Sequence, residues 1–241
     1  MSHAFSRKVQ LGWLRPHGQW GIATGALIAG LALYAPAVLL EPAAKFVLPL
    51  LPFGQNIKIA ILTAAISIVA VGILALAMLA YNKLPRDIGL AKPSFLHAGK
   101  ALVGLLVYIT ISFCVQLVAR QFLGLNVHQP QELGYQNLTD VDVLAAFMTL
   151  IFIIPFAEEF MFRGFLFTGF RSRLPFWAAA LGVSALFGLV HGQWNVGLDV
   201  FVMSLVACYL VEKTKSLWPA IFLHMFKNMV AFYLVYLYNG G

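Results

Sequence analysis

The stretch from Val143 to Phe170, VLAAFMTLIFIIPFAEEFMFRGFLFTGF, decides the fold. It exceeds the roughly 20 apolar residues that a helix needs to cross a bilayer. Its middle holds Glu158, Glu159 and Arg163, with apolar residues on both sides. Ionisable groups are costly inside a bilayer and mark a functional point by default. The stretch therefore reads as a membrane span carrying a polar site. Pro155 predicts a kink just before the two carboxylates.

The rest of the chain agrees. Of its 241 residues, 61% are hydrophobic and 10% are charged, against about 25% charged in soluble domains. Such a surface is suited to lipid. Seven candidate spans follow from apolar run length: 21–40, 58–81, 100–119, 143–170, 175–191, 196–211 and 217–238. The fifth and sixth are short, and Trp194-Asn195 between them suits a re-entrant turn, so the count is six to eight. The expected fold is an all-α polytopic transmembrane bundle. Residues 1–241 form a single membrane domain, with a core over about 143–238 and no internal repeat. The segment 120–142 is the one sizeable irregular stretch, read as a connector rather than a lid.

The net charge of +7 does not imply nucleic acid, because no basic patch is interleaved with stacking aromatics. The charges fall mainly in short loops. With the N-terminus inside, inner segments hold eleven of the Lys and Arg residues and outer segments three. Lys and Arg favour the cytoplasmic side, so a cytoplasmic N-terminus is expected and, with seven spans, an external C-terminus. The region before the first apolar stretch is long for a signal peptide, and a retained first span is favoured over cleavage near Ala35-Pro36-Ala37. Cys114 and Cys208 lie in apolar stretches and read as small packed hydrophobes.

The ionisable residues inside the spans, with one amide, lie in the second half. Besides the first three, they are His191, Asp199, His224, Lys227 and Asn228. Glu159 and Arg163 are i and i+4 and share a helix face, which predicts a buried ion pair. Glu158 is rotated by about 100° from Glu159 and is left for chemistry. His224 and Asn228 also share a face. Counted from the inner boundary at about 1.5 Å per residue, Glu158 and Asn228 lie ~18 Å deep, His224 ~12 Å and His191 ~24 Å. Three spans thus place polar groups near one level. The chemistry they suit is amide hydrolysis by water. Glu158 acts as base, a histidine holds the water or protonates the leaving amine, and Asn228 donates to the oxyanion. Ser184 shares a span with His191 but reads as a packing residue.

These residues resemble the motifs of the CPBP family, the CAAX proteases and bacteriocin-processing enzymes, also called the Abi family. Glu158-Glu159-Phe160-Met161-Phe162-Arg163 matches EExxxR, Phe187 to His191 matches FxxxH, and His224 to Asn228 matches HxxxN. Ile88-Gly89-Leu90 before Pro93 looks like the short loop often found upstream. The resemblance implies a helical membrane fold with a polar cavity reached from the cytoplasm. It implies that Glu158 with His191 activates water, that His224 and Asn228 shape the oxyanion site, and that Glu159 and Arg163 orient them. Its substrates are peptides or protein tails, prenylated in the eukaryotic members. Glu158, His191 and His224 also make a two-His, one-carboxylate set that suits zinc. HExxH is absent, however, and a metal-free glutamate mechanism without a cofactor is favoured. The competing readings are a non-catalytic peptide-binding or immunity protein on the same scaffold and an ion-coupled transporter. The latter is disfavoured by the lack of repeats and paired broken helices.

Overall fold

The computed structural model describes residues 20–124 and 134–238. Arg7, Lys8 and Arg15, three of the eleven Lys and Arg residues assigned to inner segments, lie outside them, as does part of the segment 120–142. Among the described residues there are helices, turns and bends but no strands. We label the helices α1 Ile22–Val47, α2 Gln55–Ala80, α3 Phe95–Leu123, α4 Asp140–Arg171, α5 Phe176–Leu189, α6 Trp194–Thr214 and α7 Trp218–Phe232. Helix α7 runs on into a wider π-helical turn, Tyr233–Tyr238.

Among the described residues, six helices are long and apolar enough to cross a bilayer. The chain is an integral, multi-pass membrane protein. The fifth expected span differs: α5 has 14 residues, about 21 Å, against a hydrocarbon core of about 30 Å. The sixth, expected to be short, forms a 21-residue helix. Exposed Leu31, Phe46, Ile68, Phe113 and Phe122 fit a surface that faces lipid tails. Cys208 is buried as expected; Cys114 is exposed instead, on this same kind of apolar surface.

Helix α4 runs through the centre, touching α1, α2, α5, α6 and α7, while α3 packs on α6 and α7. The whole segment Phe160 to Phe170 is buried, Arg163 included. Lipid offers little hydrophobic drive between helices, so close packing holds them. Helices α5 and α6 form a tight pair. A Cβ on Gly188 would stand 2.7 Å from the Gly197 carbonyl oxygen, so glycine is needed there. Trp20 stacks on Phe165 at 4.1 Å, and its Nε1 donates to the Phe165 carbonyl at 3.0 Å.

The loop with Ile88-Gly89-Leu90 ties one end of the bundle together. The Gly89 carbonyl accepts from the Leu217 amide at 2.9 Å. At φ +83°, a Cβ on Gly89 would meet the Lys215 carbonyl at 3.0 Å and the Leu217 nitrogen at 3.1 Å. Trp218 Nε1 donates to the Ala91 carbonyl. Nearby, Arg171 pairs with Glu212 through two hydrogen bonds of 2.9 and 3.2 Å. The loops that carry Lys83, Arg86, Arg173, Lys213 and Lys215 therefore gather at this end.

Candidate functional site

Helix α4 is not a regular α-helix. It widens to π geometry over Met148–Ile153 and again over Phe160–Phe167. The cause of the first widening is legible. The Ile154 amide reaches back five residues, to the Thr149 carbonyl. In that register the Leu150 carbonyl faces residue 155, a proline with no N–H to give. Asn228 on α7 supplies the missing donor: its Nδ2 bonds the Leu150 oxygen at 2.8 Å. The expected kink at Pro155 is thus a widened turn, stitched from outside by a motif residue.

The short α-helical stretch Ile154–Glu159 between the two wide segments carries both carboxylates. Glu159 is fully buried and accepts from Arg163 Nη1 at 2.9 Å, and Arg163 is fully buried too. The predicted pair therefore forms. Glu159 Oε1 also bonds His224 Nδ1 at 2.9 Å. The opposite ring nitrogen, Nε2, stands 3.7 Å from Glu158 Oε2. The rotation between the two carboxylates keeps Glu158 away from Arg163, as expected, but His224 touches both, one through each nitrogen. The Glu158 side chain is 28% exposed, so it alone of the pair reaches open space.

His191 lies in the turn just beyond α5, before Gly192 at φ +66°. Its Nδ1 bonds the Phe187 carbonyl at 2.7 Å. A carbonyl oxygen only accepts, so Nδ1 carries the hydrogen and Nε2 of the neutral ring is left as an acceptor. Phe187, the first residue of the same motif, packs against the charged centre. Its ring lies 4.4 Å from the Arg163 guanidinium and edge-on to both His191 and His224. A cation over an aromatic face is stabilised when other partners are scarce.

Glu158, His191, His224 and Asn228 line one cavity of about 140 Å³, with Leu150 and Ile154 of the widened turn. The groups read from three separate spans thus meet. No hydrogen bond or ion pair joins Glu158 to His191 among the described residues; they share the cavity. Among those residues, no three His, Cys, Asp or Glu side chains form a metal-holding group. Ser184 is fully buried, consistent with packing.

Asp199 and Lys227, singled out in the sequence, join a second polar cluster whose partners on α3 the sequence reading did not find. Asp199 on α6 accepts from Tyr108, Ser112 and Gln116 of α3 and lies 3.7 Å from Lys227. The signal was present: residues 108, 112 and 116 recur every four positions, one polar stripe on an otherwise apolar helix.

Residues 140–230 match the family model described as type II CAAX prenyl endopeptidase Rce1-like. The Bacillus subtilis (strain 168) protein named "Putative membrane peptidase YdiL" is 30% identical over 95 residues, 39% of this chain and 39% of its own. An Escherichia coli protein, "Uncharacterized 24.3 kDa protein", is 32% identical over 89 residues, 35% of this chain and 41% of its own. The chain therefore matches about two fifths of the length of these relatives. No solved structure matches it. The matched segment contains all three motifs and the four residues around the cavity, and over residues 140–230 the chain is accordingly similar to the Rce1-like type II CAAX prenyl endopeptidases.

Proposed function

We propose that the chain is an intramembrane endopeptidase that cleaves a peptide or protein tail with water activated by Glu158. One observation carries the reading. Glu158, His191, His224 and Asn228 line a single small cavity, and His224 is held between the two carboxylates. A pure binding protein has no need to bring a base, two histidines and an amide together.

The 3.7 Å gap between Glu158 and His224 is too long for a direct hydrogen bond, and a water on the cavity side of the two groups can contact both. Glu158 takes a proton from that water as the oxygen attacks the scissile carbonyl. His191 Nε2 accepts the other hydrogen and fixes the direction of attack. Asn228 spends one amide hydrogen on Leu150, and its second is free for the oxyanion. His224 donates from Nε2 in its protonated form. When the tetrahedral intermediate collapses, Glu158 returns its proton to the leaving amine. Glu159 and Arg163 take no part in bond making; they hold His224. Residues 143–238 form the catalytic core in this scheme, and the basic loops at the Gly89 end face the cytoplasm, with the N-terminus.

The scheme uses no metal. Glu158→Gln keeps the shape of the side chain and removes the base, so cleavage should fall by about 10²–10⁴-fold. Cleavage that survives in this variant removes the assignment. Immunity or peptide capture that persists without cleavage in the wild type supports a binding protein instead. Stoichiometric zinc in purified protein, with chelator-sensitive cleavage, would transfer the role to a metal held by Glu158, His191 and His224.

A further inference from the structure

Lys227 and Ala231 line two cavities at once. One is the site above; the other, of about 320 Å³, also meets Tyr108, Gln116 and Asp199. Asp199 is well satisfied without the lysine. Tyr108 donates its hydroxyl to both carboxylate oxygens at 2.7 and 2.8 Å, Ser112 donates at 2.6 Å and Gln116 at 3.2 Å. Lys227 is not equally satisfied. Its ammonium stands 3.7 Å from Asp199 Oδ2, longer than the usual N–H···O range of about 2.7–3.2 Å. It makes no hydrogen bond among the described residues, although its side chain is only 15% exposed. An ammonium has three donors and no acceptor. Buried donors left unused favour an anion.

We propose that Lys227 is a specificity residue that receives the free C-terminal carboxylate of the substrate, on the leaving side of the scissile bond. The proposal rests on the peptidase reading. Lys227 follows His224 by three residues on α7, a rise of about 4.5 Å. Up to three extended substrate residues reach about 10 Å, so a chain end can lie at the ammonium while the scissile bond lies at Glu158. The neighbouring cavity gives the tail room. The hydroxyls and amide of α3 hold Asp199, so the ammonium can turn to a ligand without stranding its counter-ion.

The test uses the full chain in lipid nanodiscs, first as Glu158→Gln to separate binding from turnover. Three fluorescein-labelled peptides serve as probes. Each has a farnesylated cysteine followed by three apolar residues: one ends in a free carboxylate, one in an amide, and one in an amide with Glu at the last position. Fluorescence anisotropy should show the free acid binding about ten- to hundredfold tighter than the plain amide, the range of a charge-assisted hydrogen bond. Lys227→Met should abolish the difference by weakening the acid alone, and Lys227→Arg should keep part of it. Equal binding of acid and amide overturns the proposal, as does a preference that survives Lys227→Met or an absence of binding by both. Binding of the Glu peptide as tight as the free acid overturns the terminal assignment. Wild-type turnover separates the two readings. Acid and amide cleaved with equal kcat/KM leave the peptidase and sink the role of Lys227. An acid preference in binding without any cleavage does the reverse.

Discussion

Replacing Asn228 by alanine should reveal two roles that a single activity assay would merge. The side chain donates to the Leu150 carbonyl at 2.8 Å, and Leu150 is buried. Without it that oxygen has no donor, because the residue five positions on is Pro155. Hydrogen bonds between helices in a bilayer average about 0.6 kcal/mol and reach about 1.7. A buried carbonyl left unpaired costs about 1–3 kcal/mol. We therefore expect Asn228→Ala to destabilise the protein by about 1–2 kcal/mol. The second change is Pro155→Ala, which restores an N–H at residue 155, in register with the Leu150 oxygen. The double variant should recover at least half of the stability lost in Asn228→Ala, measured by reversible unfolding in bicelles as a double-mutant cycle. Activity should behave differently. An oxyanion donor is worth about 10²–10³-fold in turnover, and no backbone N–H at residue 155 replaces it. Stability restored with activity still low is the expected outcome. Additive stability losses would refute the proposed register of the π turn. Activity restored along with stability would refute the oxyanion role and leave Asn228 a purely structural residue.

Two further substitutions probe the supports of the site. Glu159→Gln leaves Arg163 fully buried with no acidic partner and should cost about 3–5 kcal/mol, while Glu159→Gln with Arg163→Met should cost much less; equal unfolding of Glu159→Gln and wild type would show that the ion pair does not hold the site. Gly188→Ala drives a Cβ to within 2.7 Å of the Gly197 backbone, so we expect a loss of about 1–3 kcal/mol from overpacking and a fall in turnover through the displaced His191, read by thermal unfolding and peptide cleavage. A wild-type melting curve for this variant would show that α5 and α6 have room to part.

The spans and the site were legible for different reasons. Lipid demands a long apolar run, so α1 to α4 announce themselves by length alone. Charged residues inside such runs are rare enough that Glu158, Glu159 and Arg163 stood out at once. The pairing of Glu159 with Arg163 followed from i, i+4 spacing. The hidden features depend on geometry that no residue pattern encodes. The short α5 was counted as a span because Pro175 and Val190 extend its apolar run. The π turns of α4 could not be read from composition, and with them went the partner of Asn228. Nor could spacing show that His224 reaches both carboxylates, since that contact is set by the packing of α7 on α4. The stripe of Tyr108, Ser112 and Gln116 was visible, but hydroxyls and one amide on an apolar helix carry no charge to draw the eye. Its meaning emerged only with Asp199 across from it.

The widened turns of α4 also set an angular phase. A π turn accommodates an extra residue without lengthening the helix by a full step, and so shifts the direction of every side chain beyond it. Winding the same residues Met148–Ile153 as a regular α-helix would rotate the remainder of α4 by about 100°. Glu158 and Glu159 would then point away from His224, although every motif letter would survive intact. In this part of the chain, the winding of the helix is as binding a constraint as residue identity.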